Sequence, residues 1–145
     1  PSSTVQAITP PLRLGPHAVL VVGRLSSLER YKGHDQLIDA WPSVVASIPD
    51  AQLVIVGEGD DRARLEDQAR RAGVAAHTVF TGFVDDGVLD ALFERAALFA
   101  LPSRGEGFGL VYLQAMQHGL ACVGSTHDAA GEVIQDGVTG CLVDQ

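Results

Sequence analysis

The chain has 145 residues, 46% of them apolar and 19% charged, with 10 Lys+Arg against 18 Asp+Glu, the composition of one ordinary globular domain. Its net charge of -8 excludes a general nucleic-acid binder, whose affinity comes from clustered cations on phosphates. No apolar run reaches the roughly 18 to 20 residues that cross a bilayer, and PSSTVQAITPPLRLGP does not read as a secretory leader.

Residues 1–16, with Pro1, Pro10, Pro11 and Pro16, read as a linker or trailing segment, and residues 17–145 as the domain. Ala18 to Val22 is a continuous apolar run of the kind a parallel sheet buries on both faces. Gln36 to Ile48 has helical spacing, and Pro42 predicts a kink or a shifted start. Gln52 to Val56 is a second strand. Asp60 to Ala72 is a surface helix, acidic at its start and basic at its end, with Gly73 as C-cap. His77 to Phe80 is a third strand, followed by a helix that Asp85 or Asp86 caps and that runs to Arg95. Ala97 to Leu101 is a fourth strand, stopped by Pro102. A helix from Phe108 or Gly109 to Gln117 ends at Gly119, and strands follow at Ala121 to Val123 and Thr139 to Val143. Strand and helix alternate, so the connections are crossovers and the fold class is α/β, a doubly wound, mostly parallel sheet with a ligand crevice at the carboxyl ends of its strands. The chain stops directly after its last strand, which leaves that edge without the expected covering helix.

The charge is unevenly placed. Residues 1–34 carry Arg13, Arg24, Arg30 and Lys32 against the single carboxylate Glu29, whereas residues 73–145 carry only Arg95 and Arg104 among many carboxylates. A small basic corner on an acidic domain fits a local anion site, and also a chance distribution of solvated charges. In VVGRLSSLERYKGHDQL the loop after the first strand holds Arg24 and Lys32, placed to bracket a diphosphate: the first as a planar fork, the second as a point charge. Gly57 and Gly59 follow the second strand in the same way, as a ligand loop or only a tight turn.

SRGEGFGL, with Gly105, Gly107 and Gly109 between a strand and a helix, has the build of a phosphate cradle: close-approaching backbone NH groups and a helix N-terminus. A tight structural turn has the same spacing. The carboxylate of Glu106 sits where the backbone could bind an anion. Its functional reading is to bond sugar hydroxyls or stabilise positive charge at an anomeric carbon, and its structural reading is a partner of the helix dipole. The helix that follows is apolar nearly all round and predicts burial, so Gln114 within it needs a hydrogen-bond partner in a neighbouring element or a ligand. Cys122 and Cys141 suit two buried, reduced thiols, and His34, His118 and His127 have no metal-ligand spacing and read as surface or capping residues.

VVGRLSSLERYKGHDQLIDAW, LVIVGEGDDRARLE, VFTGFVDDGVLDALFERAALFALPSRGEGFGLVYLQAM and GEVIQDGVTGCLV, in this order, resemble the C-terminal, donor-binding domain of GT-B fold glycosyltransferases of family 4, the group 1 glycosyl transferases. The resemblance implies a Rossmann-like domain of a retaining, metal-independent hexosyltransferase that needs no cofactor. Its substrate would be a UDP-, GDP- or ADP-linked sugar. Arg24 and Lys32 would bind the donor diphosphate, Glu106 would be the catalytic acidic residue facing the donor sugar, and Gly107, Phe108, Gly109 and Leu110 would contact the pyrophosphate. Gly82, Phe83 and Val84 would lie against the base. The family's second acidic residue, which bonds the ribose, is Gln114 here; one amide oxygen accepts from one hydroxyl without the charge-assisted bond. The resemblance also implies an N-terminal acceptor-binding domain as partner, without which the isolated 145 residues should bind donor and turn over poorly. It implies a cytoplasmic location, at the membrane surface where that partner domain carries it there. The alternative is a non-catalytic nucleotide-sugar-binding module, with Gln114 marking the loss of activity.

Overall fold

The computed structural model describes residues 14–103, 110–125 and 140–143. Six strands form one sheet: β1 (Ala18–Val22), β2 (Gln52–Val56), β3 (Thr78–Gly82), β4 (Leu98–Leu101), β5 (Ala121–Ser125) and β6 (Gly140–Val143). Their order is β3-β2-β1-β4-β5-β6 and every pairing between them is parallel. The predicted α/β sheet is therefore present, and β1 and β2 are interior strands whose residues are apolar on both faces: Leu20, Val21, Leu53, Val54 and Ile55 are fully buried.

Among the described residues the α-helices are α1 (His34–Ser47), α2 (Arg62–Arg71), α3 (Asp86–Arg95) and α4 (Leu110–Gln117). α1 begins two residues earlier than its spacing predicts, directly after Gly33 at φ +99°, and it runs through Pro42 rather than starting late. Pro42 is exposed, while Ile38 and Trp41 on the opposite face are buried against the sheet. α2 turns Leu65 and Ala69 inward and its arginines outward, an amphipathic stripe. Gly73 follows α2 at φ +77°, the left-handed terminator its position predicts. Asp85 caps α3, its carboxylate accepting from the Val88 NH at 2.9 Å, which settles the choice between Asp85 and Asp86.

On the other side of β1 an aromatic cluster fixes β4 and α4. Phe93 and Phe99 stand 6.1 Å apart, Phe99 meets Tyr112 edge-on at 5.8 Å, and the Tyr112 hydroxyl donates to the Leu101 carbonyl. α4 is less buried than its apolar sequence predicts. Tyr112 and Ala115 face the core, but Leu113 is 41% exposed. One face of the helix meets the sheet among the described residues, and all-round apolarity does not turn the other face inward. The expectation of two buried thiols holds for one: Cys122 is buried and Cys141 is exposed, both unbridged. Burial pushes the Cys122 thiol up to about 11.

A candidate anion and nucleotide site at the carboxyl ends of the strands

The strand order reverses between β1 and β4, which places a crevice outside their carboxyl ends. Three loops meet there: residues 23–33 after β1, 57–61 after β2 and 83–85 after β3. The first two lie backbone to backbone. The Gly23 NH donates to the Val56 carbonyl at 3.0 Å, the Leu25 NH to the Glu58 carbonyl at 3.0 Å, and the Asp61 NH to the Leu25 carbonyl at 2.8 Å. Contact this close requires glycine. A Cβ on Gly57 would lie 2.0 Å from the Gly23 carbonyl oxygen and one on Gly59 2.1 Å from that of Leu25. The second Gly-x-Gly therefore serves loop packing, and its Gly57 also lines the cavity described next. Gly33 makes a similar approach to the segment after β4, since a Cβ there would meet the Pro102 carbonyl oxygen at 2.8 Å.

A cavity of about 410 Å³ opens between these loops, lined by Gly23, Arg24, Glu58, Phe83 and Asp86 over an apolar floor that includes Val22, Val56 and Leu89. Two of the three residues predicted to meet a base, Phe83 and Val84, line it. Phe83 is 61% exposed, a large apolar side chain at the cavity. Gly82, at φ +73°, lies beneath Glu58 and Arg62, whose side chains are paired at 3.4 Å.

Arg24 stands on the wall of this cavity, its side chain 76% exposed and its Nη2 2.8 Å from Glu29 Oε2. The Tyr31 hydroxyl donates to the same carboxylate oxygen at 3.2 Å. Lys32 sits beneath, with its Cδ 3.5 Å from the place a Gly23 Cβ would take and its ammonium 5.9 Å from the Tyr31 ring centre. Arg24 and Lys32 thus both lie near Gly23, Arg24 lining the cavity and Lys32 outside its lining. Gln114 lies half-buried in α4 and is not among the residues lining the cavity, while Leu110 opens α4. Glu106, Gly107, Phe108 and Gly109 lie outside the described residues, as does His127.

The sequence reading missed the polar support of this loop. Asp61 is 4% exposed and accepts from Arg30 and Arg64, and Arg64 also donates to Asp35 through both Nη1 and Nη2 at 2.9 Å. The Arg64 guanidinium, then that of Arg30, holds the Asp61 carboxyl down to about 2, and Arg64 is itself raised by its Asp61 and Asp35 partners. Asp60 accepts from both the NH and the hydroxyl of Ser27, at 2.9 and 2.7 Å, and the hydroxyl bond above all holds its carboxyl below the usual range. His34 also differs from its predicted surface place. It is 4% exposed, its Nε2 has no hydrogen-bond partner, and burial followed by nearby Lys32 pulls it down to about 4, so it is neutral at pH 7. His118 stacks on Phe93 at 5.3 Å and bonds Asp90 at 3.3 Å.

Parallel strands, a reversal of strand order, and a basic loop beside a glycine-dependent turn define a Rossmann-like domain with its ligand crevice at the switch point. Residues 16–145 match the family "Glycosyl transferases group 1", and the chain belongs to that family. Its fold is that of the C-terminal half of GT-B enzymes. The C-terminal domain of a group 1 glycosyl transferase, LpcC, from Francisella tularensis is 27% identical with a TM-score of 0.79, covering 99% of this chain and 73% of that one. The Anabaena protein HepE, solved in complex with UDP-glucose, is 29% identical with a TM-score of 0.78 over 90% of this chain and 35% of its own. A phosphatidyl-myo-inositol mannosyltransferase from Mycobacterium tuberculosis is 44% identical over 126 residues, 86% of this chain and 32% of that protein. The chain thus spans about a third of the length of such curated relatives. Among the described residues, no helix is long and apolar enough to cross a membrane.

Proposed function

We propose that this chain is the donor-binding domain of a retaining, metal-independent hexosyltransferase that takes its sugar from a nucleoside diphosphate. The observation that carries the reading is the cavity at the carboxyl ends of β1 and β2, lined by Arg24 and Phe83 among others, with Lys32 outside its lining but close to Gly23. Cations and an exposed ring so arranged suit a ligand with one anionic and one flat aromatic part. The family, and a structural relative solved with UDP-glucose, support a nucleotide sugar as that ligand.

In this reading the base rests against Phe83 and Val84. Arg24 exchanges Glu29 for a phosphate oxygen, and Lys32 supplies a second charge. As the bond from the anomeric carbon to the diphosphate breaks, negative charge grows on the departing phosphate oxygen, and fixed cations stabilise that charge more than they stabilise the intact donor. Glu106 faces the sugar and offsets the positive charge that develops at the anomeric carbon, and the backbone at Gly107, Phe108, Gly109 and Leu110 meets the pyrophosphate. Gln114 accepts from one ribose hydroxyl. The acceptor is held by a preceding N-terminal domain, so transfer requires that domain and the isolated chain binds donor without efficient turnover. A thermal-shift screen against UDP-, GDP- and ADP-sugars tests the reading: a ligand at 100 times its dissociation constant stabilises the fold by about 2.7 kcal/mol. No shift with any of them at millimolar concentration would overturn it.

A further inference from the structure

The loop that carries Arg24 and Lys32 has no regular structure between Gly23 and the single 3₁₀ turn at Arg30–Lys32. Its first half is held by backbone bonds to the loop after β2 and by Asp60 on Ser27, and its second half, around Lys32, by one buried carboxylate. Asp61 accepts from Arg30 Nε and Nη2 at 3.2 and 3.0 Å, and from Arg64 Nε and Nη2 at 2.9 and 2.6 Å. Arg64 then grips Asp35 with both Nη1 and Nη2. Arg30 lies two residues before Lys32 and Asp35 three residues after it, so both flanks of Lys32 and Gly33 are tied to the same Asp61–Arg64 pair. The Gln68 amide, from the next turn of α2, adds a bond to the Asp35 carbonyl at 3.2 Å.

We propose that Asp61 is the positioning residue of the diphosphate subsite, clamping the turn that presents Lys32; the inference rests on the donor-site reading above. Two carboxylates and two guanidiniums cancel, so the network adds no net charge to the subsite and acts through geometry. Folding alone does not call for it. Only Asp61 is buried, its partners being partly exposed, so the network adds little net stability, whereas it specifies one arrangement of the turn at Arg30–Lys32. The arrangement it specifies matters at Lys32, because a charge-assisted bond from an ammonium to a phosphate oxygen needs the two atoms within about 3 Å.

The test compares the wild-type chain with Asp61→Asn and with Arg64→Lys, which keeps the charge but loses the bidentate grip. Calorimetry, with competition for weak ligands, measures affinity for the nucleoside diphosphate that binds wild type and for the nucleoside alone. Affinity for the diphosphate should fall about tenfold in both variants, or about 1.4 kcal/mol. Nucleoside affinity should stay within about twofold, because the base rests on other loops. Equal losses for both ligands would reduce Asp61 to a general structural role, and unchanged affinities would remove it from the subsite; either result overturns the inference while wild type still binds. If wild type binds no nucleoside diphosphate, the donor-site reading fails and this inference with it. Should Asp61→Asn not fold, Arg64→Lys carries the same comparison.

Discussion

The closest backbone contact in the candidate site gives the sharpest prediction about the fold. Replacing Gly57 by Ala places a Cβ 2.0 Å from the Gly23 carbonyl oxygen and 2.9 Å from its carbon, at φ +138°. Both partners are backbone, so nothing can rotate aside. An ordinary contact between these atoms needs more than 3 Å, so the loop after β1 must move by about 1 Å, breaking the Gly23 and Leu25 bonds to β2 and its loop. Strain at such a φ and two weakened hydrogen bonds together cost about 3 kcal/mol or more. Gly73→Ala is the control, because φ is +77° there but nothing lies within 4 Å of the new Cβ. That substitution costs about 1 kcal/mol of backbone strain alone. At about 3 °C per kcal/mol for a chain of this size, thermal unfolding followed by circular dichroism should fall about 9 °C for Gly57→Ala and about 3 °C for Gly73→Ala. Equal shifts in the two variants would refute the claim that loop-to-loop contact adds to backbone strain in making glycine necessary at position 57.

Other expectations concern charge. Glu29→Gln frees Arg24 from its exposed ion pair and should raise nucleoside diphosphate affinity two- to fivefold, within the roughly 1 kcal/mol such pairs are worth; weaker binding would mean that Glu29 aims Arg24 instead of competing for it. His34 has a folded-state pKa of about 4 against an ordinary 6.5, so between these values the unfolded chain binds more protons and stability falls as pH is lowered. Urea unfolding from pH 6.5 to 4 should show that loss, about 3 kcal/mol at most, and His34→Gln should flatten it. Asp61 acts at more acid pH: its stabilisation is complete above the ordinary carboxyl value of 3.8 and disappears as pH falls through about 2, and Asp61→Asn should remove that part of the acid limb. Titrating Gln114→Glu and Gln114→Ala with the donor tests the ribose contact, since identical affinities for all three forms would exclude Gln114 from the site.

Much of the scaffold is legible in the residues. AVLVV and LVIV are too apolar for anything but central strands, and helical spacing between them requires parallel crossovers. The Asp85 cap and the Gly73 terminator follow from local backbone chemistry. Arg24 and Lys32 are legible as a pair because they share one short loop. Asp61 was not, since its partner Arg30 is 31 residues away and comes near only when β1 and β2 lie side by side. His34 misleads for a related reason: a polar residue at a helix start suits the surface, but Gly33 packs so closely on Pro102 that the first turn of α1 is drawn inward. For α4, composition sets which residues can be buried, and the neighbouring elements decide which are; Leu113 is left 41% exposed.

The claim at the centre of this account is that the basic loop after β1 holds a nucleotide sugar's diphosphate. Calorimetric titration of the chain and of Lys32→Ala with the same nucleoside diphosphate tests it most directly. Saturable 1:1 binding to wild type, weakened at least about tenfold, or 1.4 kcal/mol, in the variant, is the predicted result. Equal affinity in the two proteins would contradict it.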